Sequence, residues 1–328
     1  MKNLAVCGVG NIGKVHVRNL LSLRGCRIAG VFDTQAATLN QVASEYGLPI
    51  YPSWRALLED PTLDGVVIAT PAASHRELCC QALAAGKHVF LEKPLASSLT
   101  DSLAIVEAAA KAGDRVVQVG FCERFSPAYL EAKSAVEQGR LGALRVVQTS
   151  RIAPFHMSDP SWELGVYDTA AHNLDLILWL KGAVPRSVLA RGTGVYGSGP
   201  HFCSTWLSFA DGSLAVDTIA WLRLEGHPLS ECAQAEMLLQ GTKGSFRVDH
   251  TARPAWCLDD QRFRAVDTVI LGGEGYYSCL KLQFDYFLSA ISGEVAPKVT
   301  AAEALASERV VLAAVESVKT GREVGLVT

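Results

Sequence analysis

Several residue groups in this chain have the types and spacing needed for chemistry. Gly8-Val-Gly10-Asn11-Ile12-Gly13 closes a short apolar run and opens an amphipathic stretch. Glycines in that pattern allow a tight turn, close approach of backbone to a pyrophosphate, and close packing of the following helix, whose N-terminus faces the anion. Asp33 ends the next apolar run, 20 residues after Gly13. A carboxylate there accepts hydrogen bonds from the hydroxyls of an adenine ribose. It also repels a 2′-phosphate, and the next residues, Thr34, Gln35 and Ala36, supply no arginine to hold one. The spacing predicts NAD in preference to NADP.

Thr70-Pro71 closes the run Gly65–Thr70, and His75 opens the stretch after it, at the sheet edge where open α/β folds bind ligands. His75 is read either as a cofactor contact or as a satisfied residue at a helix start. Leu91-Glu92-Lys93-Pro94 ends a further run, and topology sets Lys93 at the nicotinamide end of a dinucleotide laid across that edge. A lysine there can hydrogen-bond a substrate hydroxyl and stabilise charge on its oxygen, while Pro94 restricts Lys93 to extended backbone; alone, it equally fits a solvated surface lysine. Asp168 and His172 stand at i and i+4, one turn apart on one helix face. The carboxylate can orient the imidazole as a base for a hydroxyl proton, or the two are an N-cap and a core histidine; Asp175 follows as structure or substrate contact. Cys79-Cys80 reads as helix packing, and His156, His201, His227 and His250 lack ligand spacing, so no metal site is expected.

The elements that must carry these residues fall into two patterns. Over the first third, β-rich runs at Leu4–Gly8, Arg27–Asp33, Gly65–Thr70, His88–Leu91 and Val116–Phe121 alternate with helical stretches at Ile12–Leu23, Ala36–Tyr46, His75–Ala85 and Leu99–Ala112, the last capped by Ser98. That alternation predicts an α/β Rossmann domain, a doubly wound parallel sheet, over residues 1–121. After a helix at Pro127–Gln138 come longer runs at Leu144–Ile152, Ser187–Tyr196, Cys203–Ala210, Ser213–Trp221, Ala235–Gln240 and Gly244–Asp249, with Asp211-Gly212 as a hairpin turn. With a helix at Asp168–Leu180 and two more between Leu280 and Thr320, residues 122–328 predict an α+β domain built on a largely antiparallel sheet.

Composition excludes several classes of protein. The 328 residues are 49% hydrophobic and 19% charged, with 28 Gly and 13 Pro, which rules out a mostly disordered chain, collagen and a disulfide miniprotein. A net charge of −3 without a basic run disfavours nucleic acid. Nine cysteines without a Cys-x-x-Cys pair suit a reduced, cytoplasmic setting. The first residues, MKNLAVCGVGNIG, lack the apolar core and cleavage site of a signal peptide. No apolar stretch approaches the roughly 20 residues needed to span a bilayer.

Taken in order, the glycine motif, Thr70-Pro71 with His75, the segment Ala82-Leu-Ala-Ala-Gly-Lys-His-Val-Phe-Leu-Glu-Lys-Pro94, Gly120-Phe-Cys-Glu-Arg-Phe-Ser-Pro127 and Asp168-x-x-x-His172-x-x-Asp175 resemble the Gfo/Idh/MocA oxidoreductase family, which contains inositol dehydrogenase and glucose-fructose oxidoreductase. The resemblance covers essentially the whole chain. It implies a Rossmann domain and an open-faced sheet that commonly makes homodimer or homotetramer contacts, with Lys93 and His172 as the catalytic pair, His172 the base and Asp168 orienting the site. Glu92 and Arg124 would line the cofactor or substrate pocket. Cys122 departs from the Asn or Arg often found there.

The Gly120–Pro127 stretch, Ser150-Arg-Ile-Ala-Pro-Phe155 and Gly165-Val-Tyr167-Asp168 are most similar to UDP-N-acetylglucosamine 3-dehydrogenases, which make a 3-keto sugar for an aminotransferase. Tyr167 and Arg151 then fall to substrate binding, Arg151 offering a fork of donors to the diphosphate. The alternatives are a dehydrogenase of a free cyclic polyol, an aldose or an imine, and a non-catalytic NAD-binding sensor.

Overall fold

The computed structural model describes residues 1–154, 165–194, 199–222, 234–249, 255–258, 263–266 and 274–326. It contains two compact units, Met1–Cys122 with Ser278–Leu305, and Glu123–Tyr277 with Ala306–Thr328.

The first unit runs β1 (Lys2–Cys7), α1 (Asn11–Leu21), β2 (Cys26–Phe32), α2 (Ala36–Tyr46), α3 (Trp54–Glu59), β3 (Gly65–Ile68), α4 (His75–Ala84), β4 (His88–Leu91), α5 (Leu99–Lys111) and β5 (Val117–Val119). Its five strands pair in the order β2-β1-β3-β4-β5, all parallel. Strands covered on both faces read as continuous apolar runs, and Gly65–Ile68 and His88–Leu91 are buried throughout. From β1 the chain turns one way to β2 and the other way to β3. That reversal opens a crevice at the carboxyl ends of β1 and β3, where ligands bind in such sheets. Ser98 caps α5, accepting the Asp101 N–H at 3.2 Å. The short α3, unread in the sequence, is capped by Ser53; six residues are too few to show a helical period.

The second unit continues with α6 (Pro127–Glu137), β6 (Leu144–Pro154), α7 (Tyr167–Lys181), β7 (Ser187–Thr193), β8 (Phe202–Ser208), β9 (Leu214–Leu222), β10 (Gln234–Gly241), β11 (Ser245–Asp249), β12 (Ala255–Leu258) and β13 (Phe263–Val266). After these come α8 (Glu274–Ile291), α9 (Ala301–Thr320) and β14 (Val324–Gly325). Nine strands form one sheet in the order β13-β12-β11-β10-β6-β9-β8-β7-β14. Its pairs are antiparallel except β6 with β9 at the centre, which run parallel. The Asp211-Gly212 turn joins β8 to β9 as expected, with Gly212 left-handed at φ 73°. Tyr196, given to a strand in the sequence reading, and the histidines at 156, 227 and 250 lie outside the described residues.

The segment Ser278–Leu305, most of α8 and the first turn of α9, belongs to the first unit, where Phe284, Phe287, Leu288 and Ile291 of α8 join Leu4, Val6, Val31 and Phe90 in one core. Their spacing makes a single apolar stripe, and that stripe covers the parallel sheet. Cys7, Cys26, Cys79, Cys80, Cys122, Cys203 and Cys279 are free thiols. Among the described residues no helix is long and apolar enough to cross a membrane.

Candidate active site

The glycine loop has the geometry a dinucleotide requires. Gly8 is left-handed at φ 86°, and a Cβ there would lie 2.5 Å from the Ala69 carbonyl oxygen, so glycine lets the loops after β1 and β3 touch. At Gly13 a Cβ would stand 2.0 Å from the Gly8 oxygen, so glycine seats α1 against the loop. Gly10 differs, because its missing Cβ leaves open space at the α1 N-terminus, which has no side-chain cap. Backbone N–H groups there face outward, as an anion site needs. Asp33 is fixed at the end of β2 by the N–H groups of Val9 and Gln35, each at 2.8 Å. These features fit NAD: Gly10 and Asn11 would hold the pyrophosphate and Asp33 the ribose. Thr34 and Pro71 are exposed along the same edge, while half-buried Ile12 packs on the buried cluster of Cys122, Cys279 and Leu280. That apolar contact accounts for a thiol at position 122.

Two expected cofactor contacts are inside the protein instead. His75 has 0% exposure, with Nε2 2.8 Å from the Thr70 oxygen and Nδ1 2.9 Å from the Pro94 oxygen. It joins the loop after β3 to the loop carrying Lys93 and offers neither ring nitrogen to a ligand. Glu92 is also buried, bonded to His16 of α1 at 2.7 Å and to the Lys93 N–H at 3.0 Å. Burial by itself would raise the Glu92 carboxyl, but the hydrogen bond to His16, with the Lys93 charge and the Lys93 N–H, holds it below the usual carboxylate range. Lys93 itself is half-buried at the end of β4.

In the second unit Asp168 is the second residue of α7, whose N-cap is Val166 without a side-chain bond. Asp168 is therefore not the cap. It and His172 lie one turn apart on α7, both nearly covered. A connected polar network supports this helix. Asn173 donates to Asp217 Oδ1 at 2.7 Å, Thr149 donates to the same oxygen at 2.7 Å, and Arg151 donates to Asn173 at 3.0 Å. Burial raises the Asp217 carboxyl to about 6, opposed by Thr149, Asn173 and Arg151.

Three residues expected at the substrate belong to this interior. Arg151 forms a two-bond pair with Glu123 at 2.6 and 2.8 Å, and Arg124 closes on Asp175 at 2.6 and 2.7 Å, where Ser307 also donates. A buried guanidinium in a carboxylate fork is not offered to a diphosphate. Tyr167 turns its hydroxyl to Thr205 at 2.9 Å, and burial raises its pKa further above the usual tyrosine value. Phe155, expected beside Arg151, lies outside the described residues. Sequence reasoning passed over His16, Glu123, Asn173 and Asp217; the one available signal was a histidine a turn beyond Gly13 on the face that buries Val17 and Leu20. Among the described residues no group of three or more His, Cys, Asp or Glu side chains could hold a metal.

Residues 2–121 match the profile of the Gfo/Idh/MocA oxidoreductase family, NAD-binding Rossmann fold, and residues 129–247 that of a Gfo/Idh/MocA C-terminal domain. The chain belongs to this family. It is 34% identical over 189 residues to an inositol 2-dehydrogenase of Acidothermus cellulolyticus, a match spanning 57% of this chain and 55% of the relative. Over 98% of its length it is 27% identical to the scyllo-inositol 2-dehydrogenase (NAD(+)) of Bacillus subtilis, covering 95% of that protein. Among solved structures, the UDP-N-acetylglucosamine 3-dehydrogenase of Acidithiobacillus ferrooxidans superposes with a TM-score of 0.83 at 25% identity, covering 97% of this chain and 98% of that one. For the first inositol dehydrogenases the match spans about half of each relative's length.

Proposed function

We propose that this family member is an NAD-dependent dehydrogenase of a secondary alcohol, and that the alcohol belongs to a free cyclic polyol or sugar. The observation that carries the choice is Arg151. The one side chain expected to hold a diphosphate is buried against Glu123 and Asn173, which removes the anchor that favoured a nucleotide sugar. Similarity to inositol 2-dehydrogenases supports the same reading.

When bound, NAD supplies the hydride acceptor. Lys93 donates a hydrogen bond to the substrate hydroxyl oxygen and stabilises the charge it gains. His172 takes the hydroxyl proton, and Asp168 orients the imidazole and favours its protonated form. The buried Asn173–Asp217–Arg151 network fixes α7, so the base is held rather than assembled on binding.

A second reading, oxidation of the 3-hydroxyl of UDP-N-acetylglucosamine for a partner aminotransferase, is favoured by the likeness to the Acidithiobacillus ferrooxidans enzyme. The two separate on reduced-nicotinamide absorbance when protein and NAD meet myo-inositol, scyllo-inositol, glucose or UDP-N-acetylglucosamine with a carbonyl trap present. Signal from a free polyol or glucose is the expected result. Signal from the nucleotide sugar alone would contradict it, and silence with all four alongside tight NAD binding would favour a sensor.

We also infer a homo-oligomer. Phe202 and Trp206 of β8 and Leu214 of β9 share one sheet face by register and remain 40, 43 and 51% exposed, an apolar patch suited to a second copy.

A further inference from the structure

We propose that His16 and His75, which do not touch the reacting atoms in this account, are positioning residues that set the place of Lys93. The inference rests on the reading of Lys93 as the group that meets the hydroxyl. Lys93 follows β4 as a single residue between a carboxylate and a proline, and a long flexible side chain is only as well placed as its backbone. That backbone is gripped from two sides by buried rings.

On one side, Glu92 accepts the Lys93 N–H at 3.0 Å with Oε2 and faces His16 Nε2 at 2.7 Å with Oε1. His16 has 0% exposure and meets the edges or faces of Phe90 and Phe284 at centroid distances of 5.6 and 5.0 Å. Its Nδ1 has no hydrogen-bond partner among the described residues. This pattern puts the ring hydrogen on Nε2, aimed at the carboxylate. Room for the carboxylate comes from Gly120, where a Cβ would stand 2.9 to 3.0 Å from the Glu92 carboxylate atoms. A histidine in an aromatic pocket, a buried glutamate and a glycine thus share one task, holding the Lys93 amide.

On the other side, His75 lies between the carbonyl oxygens of Pro94 and Thr70 at 2.9 and 2.8 Å. Carbonyl oxygens only accept, so a neutral ring bonds one of them and an imidazolium bonds both. Burial lowers the His75 pKa, against the two carbonyls and the Glu92 charge, which raise it. The buried ring, bonded to at least one of these carbonyls and packed against the other, sits between the Lys93–Pro94 segment and Thr70.

The test pairs a variant that removes a donor with one that restores it. His16→Leu and His75→Leu should lower kcat for myo-inositol oxidation by about a hundredfold, the cost of an ångström-scale misplacement, with the NAD dissociation constant within about threefold of the parent. His16→Gln and His75→Gln, whose amides donate, should recover most of the loss. Gly120→Ala presses on Glu92 without altering either ring and should lower kcat in the same way. A substrate-free readout accompanies these: exchange of the Lys93 amide in ¹⁵N-lysine protein, expected to quicken at least about tenfold in His16→Leu and Gly120→Ala as the buried bond opens. Unchanged kcat and unchanged Lys93 exchange in variants that fold and bind NAD would overturn the inference. Lys93→Met separates the two claims, because turnover surviving that substitution would instead overturn the role given to Lys93.

Discussion

At the residue scale the chemistry open to this protein depends on which polar side chains are offered to a ligand and which are consumed in its interior. Arg124 and Arg151 were legible as arginines near a substrate domain, but a sequence does not show that Asp175 and Glu123 will meet them. Those partners lie 51 and 28 residues away, so the pairing is a tertiary fact. Asp217 is the clearest consequence. Its carboxyl is raised to about 6 by burial, so the native state binds a proton that the unfolded state has released between its ordinary value of 3.8 and 6. In that window the folded state holds more protons, and Asp217's contribution to stability falls as pH rises. Asp217→Asn should remove this dependence. The stability of the variant relative to the parent should rise by about 3 kcal/mol between pH 3 and pH 8, read by denaturant titration; a constant difference would contradict the assignment. By contrast Gly8 and Gly13 were readable because their close backbone contacts depend on local spacing.

Elements follow the same division. The parallel sheet was legible strand by strand, since buried strands show as continuous apolar runs between helices of recognisable length. The parallel pairing of β6 with β9 was not, because alternation along a strand tells which side chains share a face and nothing about its neighbour's direction. Strands β12 and β13, four residues each, are too short to show a period. The glycine loop yields a prediction at this scale. A methyl at Gly13 would collide with the Gly8 carbonyl oxygen, which is backbone and cannot move aside. Gly13→Ala should cost about 1–3 kcal/mol of stability and weaken NAD together with it. Gly10→Ala, with open space around its Cβ, should leave the melting temperature nearly unchanged while weakening NAD. Calorimetry with and without the cofactor distinguishes the two, and equal loss of melting temperature would contradict this reading of the loop.

Over the whole molecule the chain is not divided at a single point. Its first unit is completed by residues 278–305, so a fragment ending at residue 121 lacks Phe284 and Phe287 from its core and should unfold more readily than the full chain. The exposed face of Phe202, Trp206 and Leu214 belongs to this scale too. Trp206→Glu should shift the protein to a smaller species in light scattering, and an unchanged mass would contradict assembly on that face. The central claim, an alcohol oxidised onto NAD with Lys93 at its oxygen, is tested most directly by Lys93→Met. Turnover with NAD and myo-inositol should fall by a factor of about 10²–10⁴ while the NAD dissociation constant stays within about threefold. Turnover that survives the substitution would contradict the account.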